Sequence, residues 1–180
     1  MSLVVMALLV SIGVPERSAT AQVSAPQLSS TGFLVRHTAT IAAPPARVYD
    51  ALVRQVGSWW HSDHTFSGDA RNLSIDARPG GCFCEKLKEG GGVEHMRVVY
   101  AAPGERLRMS GALGPLQASG LAGSLTWSLA ATPGGTTIEL SYSVGGFLAG
   151  GFEKMAPAVS GVLEEQLRRL KLFVETGKPA

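Results

Sequence analysis

Two stretches of the sequence decide the fold: LAGSLTWSLA, residues 121–130, and TTIELSYSV, residues 136–144. In each stretch apolar side chains alternate with hydroxyl-bearing or charged ones, as Leu125, Trp127 and Leu129 do in the first. Such alternation is typical of a strand with one buried and one wet face. Gly134–Gly135 lies between the two stretches and supplies a turn. The pair therefore predicts an antiparallel hairpin that packs one face on the core.

The remaining elements extend this hairpin into one sheet bracketed by two helices. Five weaker strands are predicted at 33–41, 72–77, 82–87, 93–101 and 105–111, because Gly- and Pro-rich turns separate most of them. Apolar residues recur at helical spacing in 46–56, after Pro44–Pro45, and in 153–176. This order predicts an α+β fold, with a curved antiparallel sheet of about seven strands wrapped around a long C-terminal helix.

Composition and charge narrow the classes of function. The 180 residues are 45% hydrophobic, which suits one domain with a sizeable core. The net charge of +2 is too small for an electrostatic footprint on nucleic acid. No dinucleotide-binding, phosphate-loop or nucleophile-elbow motif is present, so no cofactor is expected.

The N-terminus has the layout of a secretory signal peptide. Residues 3–14 form an apolar run too short for a stable membrane span, and Ala19-Thr20-Ala21 is a small-residue cleavage site. No Lys or Arg precedes the apolar run, and a buried N-terminal helix is the alternative. We predict a signal peptide over 1–21 with cleavage after Ala21, a flexible polar tether over 22–31, a domain over 32–177, and a periplasmic or secreted protein.

Six phrases stand in a characteristic order along the chain: IAAPPARVYDAL (41–52), SWW (58–60), DARPGGCF (76–83), PGERL (103–107), GGTTIEL (134–140) and the Leu-rich terminal helix. Together they resemble the START-like (SRPBCC) superfamily, which has the helix-grip fold. The branch that looks most similar is named after the activator of heat-shock-protein ATPase and lies close to the polyketide cyclases. The resemblance covers about residues 33 to 176.

The resemblance implies a hydrophobic cavity between the sheet and the terminal helix. Members bind lipids, sterols, polyketides or plant hormones, and some cyclise or dehydrate polyketides. We therefore expect an exported protein that binds a small hydrophobic ligand, lipid or polyketide-like. One alternative is a cyclase- or dehydratase-like enzyme that uses His95 as acid or base. The other is a co-chaperone-like module that meets a protein partner through the loop Leu113–Leu116.

The segment WWHSDHTF, residues 59–66, has two interpretations: a metal or catalytic site, or an aromatic corner of a pocket. His61, Asp63 and His64 offer metal-binding groups, but the other histidines, His37 and His95, stand isolated, and metal sites need further ligands at set spacings. We predict no metal. In the resembling family the Trp-Trp pair lies near the cavity mouth, which implies that Trp59 and Trp60 border the pocket and that the two histidines form its rim.

Strand parity supplies the other site candidates. His95 and Arg97 share a face with Val93 and Val99, but the opposite face is apolar too, so parity does not show which face is inward. An inward face would bury an imidazole where acid–base catalysis needs it; no residue is predicted as catalytic beyond this weak candidate. The full set of predicted ligand contacts is Trp59, Trp60, His95, Arg97, Trp127, Tyr142, Leu163 and Leu167.

Cys82 and Cys84 are two residues apart in a predicted strand. Their Cα atoms would lie about 6.6–6.8 Å apart, with parallel Cβ vectors, at the edge of the range for a disulfide. We predict two inward-facing thiols; a strained redox pair is the alternative.

Overall fold

An antiparallel sheet dominates the computed structural model, which describes residues 22–179. In chain order its strands are β1 (Gln22–Val23), β2 (Gln27–Ser29), β3 (Gly32–Ile41), β4 (Leu73–Ile75), β5 (Cys82–Lys86), β6 (Gly92–Ala102), β7 (Arg106–Ser110), β8 (Ala122–Thr132) and β9 (Gly135–Gly145). They are arranged β1-β3-β9-β8-β7-β6-β5-β4, and β2 also pairs with β3. The predicted hairpin is β8–β9, and the seven predicted strands are β3 to β9. The α+β class is confirmed.

Three helices cover the sheet: α1 (Pro45–Arg54), α2 (Val56–Trp59) and α3 (Met155–Thr176). Pro45 starts α1, where its missing N–H costs no hydrogen bond. Gly177, with φ +78°, ends α3 in the left-handed conformation that glycine adopts without strain. Contacts link α3 to β3, α1 and α2, and its apolar stripe is buried at Leu163, Leu167, Leu170 and Val174. This is the helix-grip arrangement that the sequence predicts.

Residues 22–31, which are predicted as a flexible tether, include two short strands that pair with β3. Gln22 and Val23 pair with Thr38 and His37, and residues 27–29 pair with 32–34 in a short hairpin. The reason is that β3 is the last long strand on that side of the sheet, and its unpaired backbone groups accept further strands. The predicted signal peptide over 1–21 lies outside the described residues.

A bulge in β6 places both His95 and Met96 in the core. Phe83 pairs with Met96, whereas Cys84 pairs with Glu94, so His95 is an extra residue without a partner on β5. His95 and Met96 are therefore both buried, and Arg97 is exposed. The prediction that His95 and Arg97 share a face is wrong, because the bulge breaks the alternation between them.

Cys82 and Cys84 form a disulfide, so the prediction of two inward-facing thiols is wrong. Pairing shifts by one residue at Phe83–Cys84, and the two Cα atoms are 5.3 Å apart, within the range that a disulfide needs. The buried side chains of β5 are Phe83 and Glu85, which places both cysteines on the opposite, partly exposed face.

Candidate ligand-binding site

A cavity of about 310 Å³ lies between the N-terminal half of α3 and the β5–β6 part of the sheet. Two loops complete its wall, one at residues 63–66 and one at residues 113–116. Most of the lining side chains are apolar. They are Trp60, Asp63, His64, Thr65, Phe66, Phe83, His95, Leu113, Gly114, Pro115, Leu116, Met155, Ala158, Val159, Val162 and Leu163.

One wall of the cavity is a chain of aromatic rings. Trp60 meets Phe83 edge-on with 5.5 Å between ring centroids, and Phe83 lies 5.1 Å from the His95 ring. Phe66 stacks on the His95 ring at 5.8 Å and 27°. Such contacts fix ring orientation in addition to burying apolar area. The imidazole therefore contacts two phenyl rings.

The two neighbouring tryptophans have different roles. Trp59 is 1% exposed, packs on Trp127 at 6.2 Å and donates its indole N–H to Ala51 O at 3.0 Å. Trp60 lines the cavity and donates its indole N–H to His64 O at 3.0 Å. Trp59 thus anchors α2 in the core, and Trp60 is the ring that a ligand would touch.

A buried carboxylate and imidazole form the polar centre of the cavity wall. Glu85 Oε2 lies 2.9 Å from His95 Nε2, and the two side chains are 0% and 5% exposed. The Glu85 carboxylate also accepts hydrogen bonds from the backbone N–H groups of Phe66, at 3.0 Å, and Ser67. Glu85 therefore ties the loop that carries Phe66 to the sheet and orients the His95 ring at the same time.

The surroundings of this pair keep Glu85 ionised and His95 neutral. Burial raises the pKa of Glu85, but hydrogen bonds from Ser67, Phe66 and His95 outweigh it, so the pKa lies below its ordinary value. Burial lowers the pKa of His95 more than Glu85 raises it. An ionised carboxylate only accepts hydrogen bonds, so Nε2 carries the proton and Nδ1 presents a lone pair.

His95 Nδ1 has no hydrogen-bond partner among the described residues and is not fully enclosed by protein atoms. Since His95 lines the cavity, this nitrogen is an acceptor available to a ligand. The arrangement can accept a hydrogen bond from a ligand or take a proton from it.

The histidines of the WWHSDHTF segment lie at the border of the cavity. His64 lines it and approaches Glu165 Oε2 on α3 at 3.1 Å. His61 accepts from Asp63 N through Nδ1, and its own backbone N–H donates to the buried Gln166 on α3. This segment is therefore fastened to α3 by two side chains. Residues 22–179 contain no cluster of three or more His, Cys, Asp or Glu side chains that could hold a metal ion.

The loop Leu113–Leu116 closes the opposite side of the cavity instead of projecting into solvent. Leu116 is 1% exposed, and Leu113 is partly buried. Tyr142 holds the loop, because its hydroxyl donates to Gly111 O at 3.2 Å and accepts from Leu113 N at 2.9 Å. A Cβ at Gly123 would lie 2.7 Å from the Tyr142 ring, so only glycine fits there.

The predicted ligand contacts therefore divide into three groups. Trp60, His95 and Leu163 line the cavity. Trp59, Trp127, Tyr142 and Leu167 are buried in the core beside it. Arg97 points away from it and pairs with Glu94 on the outer face.

Three further residues of the site, Glu85, Phe66 and Phe83, were not among the predicted contacts. The available signal was the alternation of Phe83 and Glu85 in 82–87, which places a carboxylate on the same face as a large apolar ring.

Comparison with solved structures shows the same fold at low sequence identity. A protein of unknown function from Enterococcus faecalis matches with a TM-score of 0.62, 18% identity, and 86% of this chain and 78% of that chain covered. A putative uncharacterized protein from Rhizobium leguminosarum matches at 0.60, with 21% identity and 88% and 99% covered. The Aha1 dimer from Colwellia psychrerythraea matches at 0.59, with 20% identity and 81% and 98% covered.

No curated protein matches the chain. Within residues 22–179, no helix is both long and apolar enough to cross a membrane. A family described as polyketide cyclase / dehydrase and lipid transport matches residues 33–175, a range that includes every strand from β4 to β9, the helices α1 and α2, all of α3 except Thr176, and the whole cavity wall. The chain belongs to this family.

Proposed function

We propose that the protein binds one small, mainly apolar molecule in the cavity between the sheet and α3. The observation that carries this proposal is a 310 Å³ space with an aromatic and aliphatic wall and a single buried polar acceptor, His95. Ligand sites commonly combine an apolar lining with a few placed polar groups. Removing a few hundred Å² of apolar ligand surface from water contributes several kcal/mol before ordering costs, at about 25 cal/mol per Å².

A neutral, environment-sensitive probe tests this proposal. N-phenyl-1-naphthylamine should bind the wild-type protein with one-to-one stoichiometry. Trp60→Ala should weaken binding at least about tenfold, or roughly 1.4 kcal/mol, because an indole that contacts the probe is lost. His61→Ala is the control, since His61 does not line the cavity. Equal losses in both variants would contradict the assignment of Trp60, and no binding by the wild type would contradict the proposal.

We also propose that the protein is exported and cleaved after Ala21. The apolar run and the Ala-Thr-Ala site support this, and so does the Cys82–Cys84 disulfide, because disulfides persist mainly in oxidising compartments. Intact-mass measurement on the periplasmic fraction should find Gln22 as the first residue. A full-length species confined to the cytosol would contradict this proposal.

The buried Glu85–His95 pair favours a second candidate function, acid–base catalysis. His95 Nδ1 would remove a proton from carbon next to a carbonyl group, the electron pair would remain on the ligand as an enolate, and Glu85 would stabilise the imidazolium. Exchange of the α-protons of 2-tetralone in D₂O, followed by NMR, tests this. The wild type should accelerate exchange and His95→Gln should not. Bound tetralone that exchanges no faster than in buffer would restrict the function to binding.

A further inference from the structure

The cavity has an unusual charge distribution for a site that holds an apolar molecule. Its titratable lining residues are Asp63, His64 and His95, and no Lys or Arg is among the lining residues of the described chain. Two further carboxylates lie directly behind the lining: Glu85 against His95 at 2.9 Å, and Glu165 against His64 at 3.1 Å. A negative charge on a ligand would therefore meet further negative charges.

The Glu85 carboxylate sets the sign of the charge at the buried part of the cavity wall. It is fully buried and ionised, whereas His95 is neutral, so the pair carries a net charge of about −1 in a region of low dielectric. His95 lines the cavity, and its Nδ1 lone pair has no hydrogen-bond partner among the described residues. A ligand carboxylate or phosphate next to His95 Nδ1 would be repelled by the charge of Glu85. It would also face Nδ1 with an acceptor, so that no donor is present to form a hydrogen bond.

The N-terminal end of α3 lies beside the cavity, and its backbone provides few free donors for an anion. Met155 begins the helix and lines the cavity. However, the next N–H, of Ala156, already donates to Phe152 O at 2.9 Å, and Pro157 has no N–H. The first turn therefore lacks the row of free donors on which anion binding at a helix N-terminus depends.

We infer that the cavity selects neutral apolar molecules carrying a hydroxyl or N–H donor, and that it rejects carboxylates and phosphates of the same size. The inference rests on the proposed function and names its ligand class. The donor of the ligand binds His95 Nδ1, the apolar body lies against Trp60 and Phe83, and Glu85 fixes the imidazole as an acceptor. Fatty acids and phosphorylated lipids are accordingly not the ligands of this site.

Three bicyclic compounds of similar shape test the inference on the wild-type protein by isothermal titration at pH 7.5. 2-Naphthol is a neutral donor, 2-methoxynaphthalene lacks the donor, and 2-naphthoate is an anion. 2-Naphthol should bind at least about tenfold more tightly than either of the others. 2-Methoxynaphthalene leaves the buried acceptor His95 Nδ1 unpaired, and 2-naphthoate adds a buried charge of the same sign as that of Glu85.

Two variants locate the effect. Glu85→Gln removes the buried charge and should improve 2-naphthoate binding about tenfold. The charge-matched control is Glu94→Gln on the outer face, where Glu94 is 45% exposed, and it should change no affinity. His95→Gln should abolish the preference for 2-naphthol over its methyl ether, and it provides a test should Glu85→Gln fail to fold.

The outcomes separate the two proposals. Binding of 2-naphthoate as tight as that of 2-naphthol would overturn the charge inference and leave the binding function intact. Equal binding of 2-naphthol and its methyl ether would overturn the role of His95 as acceptor. If none of the three compounds nor N-phenyl-1-naphthylamine binds, the binding function itself is overturned.

Discussion

His95 and Glu85 meet through Nε2 and Oε2 at 2.9 Å in the wall of the cavity, and neither side chain is more than 5% exposed. The same carboxylate accepts the backbone N–H groups of Phe66 and Ser67. One side chain of β5 therefore holds a residue of β6 and the loop after α2. The hydrogen bonds of Glu85 consequently both form the polar centre of the site and connect these parts of the fold.

Glu85→Ala should lower the free energy of unfolding by about 3 kcal/mol. The substitution leaves two backbone donors and the His95 N–H without their acceptor in a buried region, and unsatisfied buried groups are costly. Chemical denaturation of wild type and variant gives the difference. Glu94→Ala, which breaks an exposed pair with Arg97, should cost under about 1 kcal/mol. A decrease in the free energy of unfolding of under about 1 kcal/mol for Glu85→Ala would show that Glu85 does not make these buried hydrogen bonds.

Stability should fall as the pH drops from 7 towards 5. Burial lowers the pKa of His37 and of His95 below the ordinary value of 6.5, despite opposing contributions from Glu164 and Ser160 at His37 and from Glu85 at His95. Between the folded and unfolded pKa values the unfolded chain binds more protons, so stability is full above pH 6.5 and decreases below it.

Melting temperatures of the wild type at pH 7, 6 and 5 measure this dependence. His37→Gln and His95→Gln should each give a shallower decline than the wild type, because each removes one titrating group. Protonation of the paired carboxylates lowers the stability further only at lower pH, since the ordinary pKa values are 3.8 for Asp and 4.5 for Glu. A wild-type melting temperature that is constant from pH 7 to 5 would contradict the neutral state of both histidines.

Removing the Cys82–Cys84 disulfide should cost little stability. The bond closes a loop of three residues, and in the chain-entropy treatment so short a loop stabilises the fold by about 1.5 kcal/mol. Unfolding of Cys82→Ser/Cys84→Ser should therefore differ from wild type by about that amount, with no change in probe binding. Two thiols that react with Ellman's reagent in protein isolated without reductant would show that the bond is absent.

The sequence predicts the architecture well because the buried faces of β8, β9 and α3 follow simple periods. Leu125, Trp127 and Leu129 alternate on one strand, and the apolar stripe of α3 recurs every three or four residues. These local patterns agree with the tertiary packing. The strands and the long helix could accordingly be anticipated, whereas the expectation that Trp59 and Trp60 border the pocket came from the family resemblance.

The polar centre could not be predicted, because one extra residue in β6 creates it. Alternation joins His95 to Arg97, but the bulge turns His95 inward beside Met96 and leaves Arg97 outside. A bulge depends on pairing with a distant strand, and that pairing leaves no period in the local sequence. The register of pairing between β5 and β6 shifts at Phe83–Cys84, and the Cys82–Cys84 disulfide lies at the same place. The Cα spacing of a regular strand had argued against this disulfide.

We propose that a ligand occupies the space under α3, and filling that space with a larger side chain tests this proposal most directly. Val159 lines the cavity from α3, whereas Arg168 lies on the exposed side of the same helix. The dissociation constant of N-phenyl-1-naphthylamine should rise at least about tenfold in Val159→Phe and stay unchanged in Arg168→Phe, with similar melting temperatures in both. Binding in Val159→Phe as tight as in the wild type would contradict the claim that the cavity is the binding site.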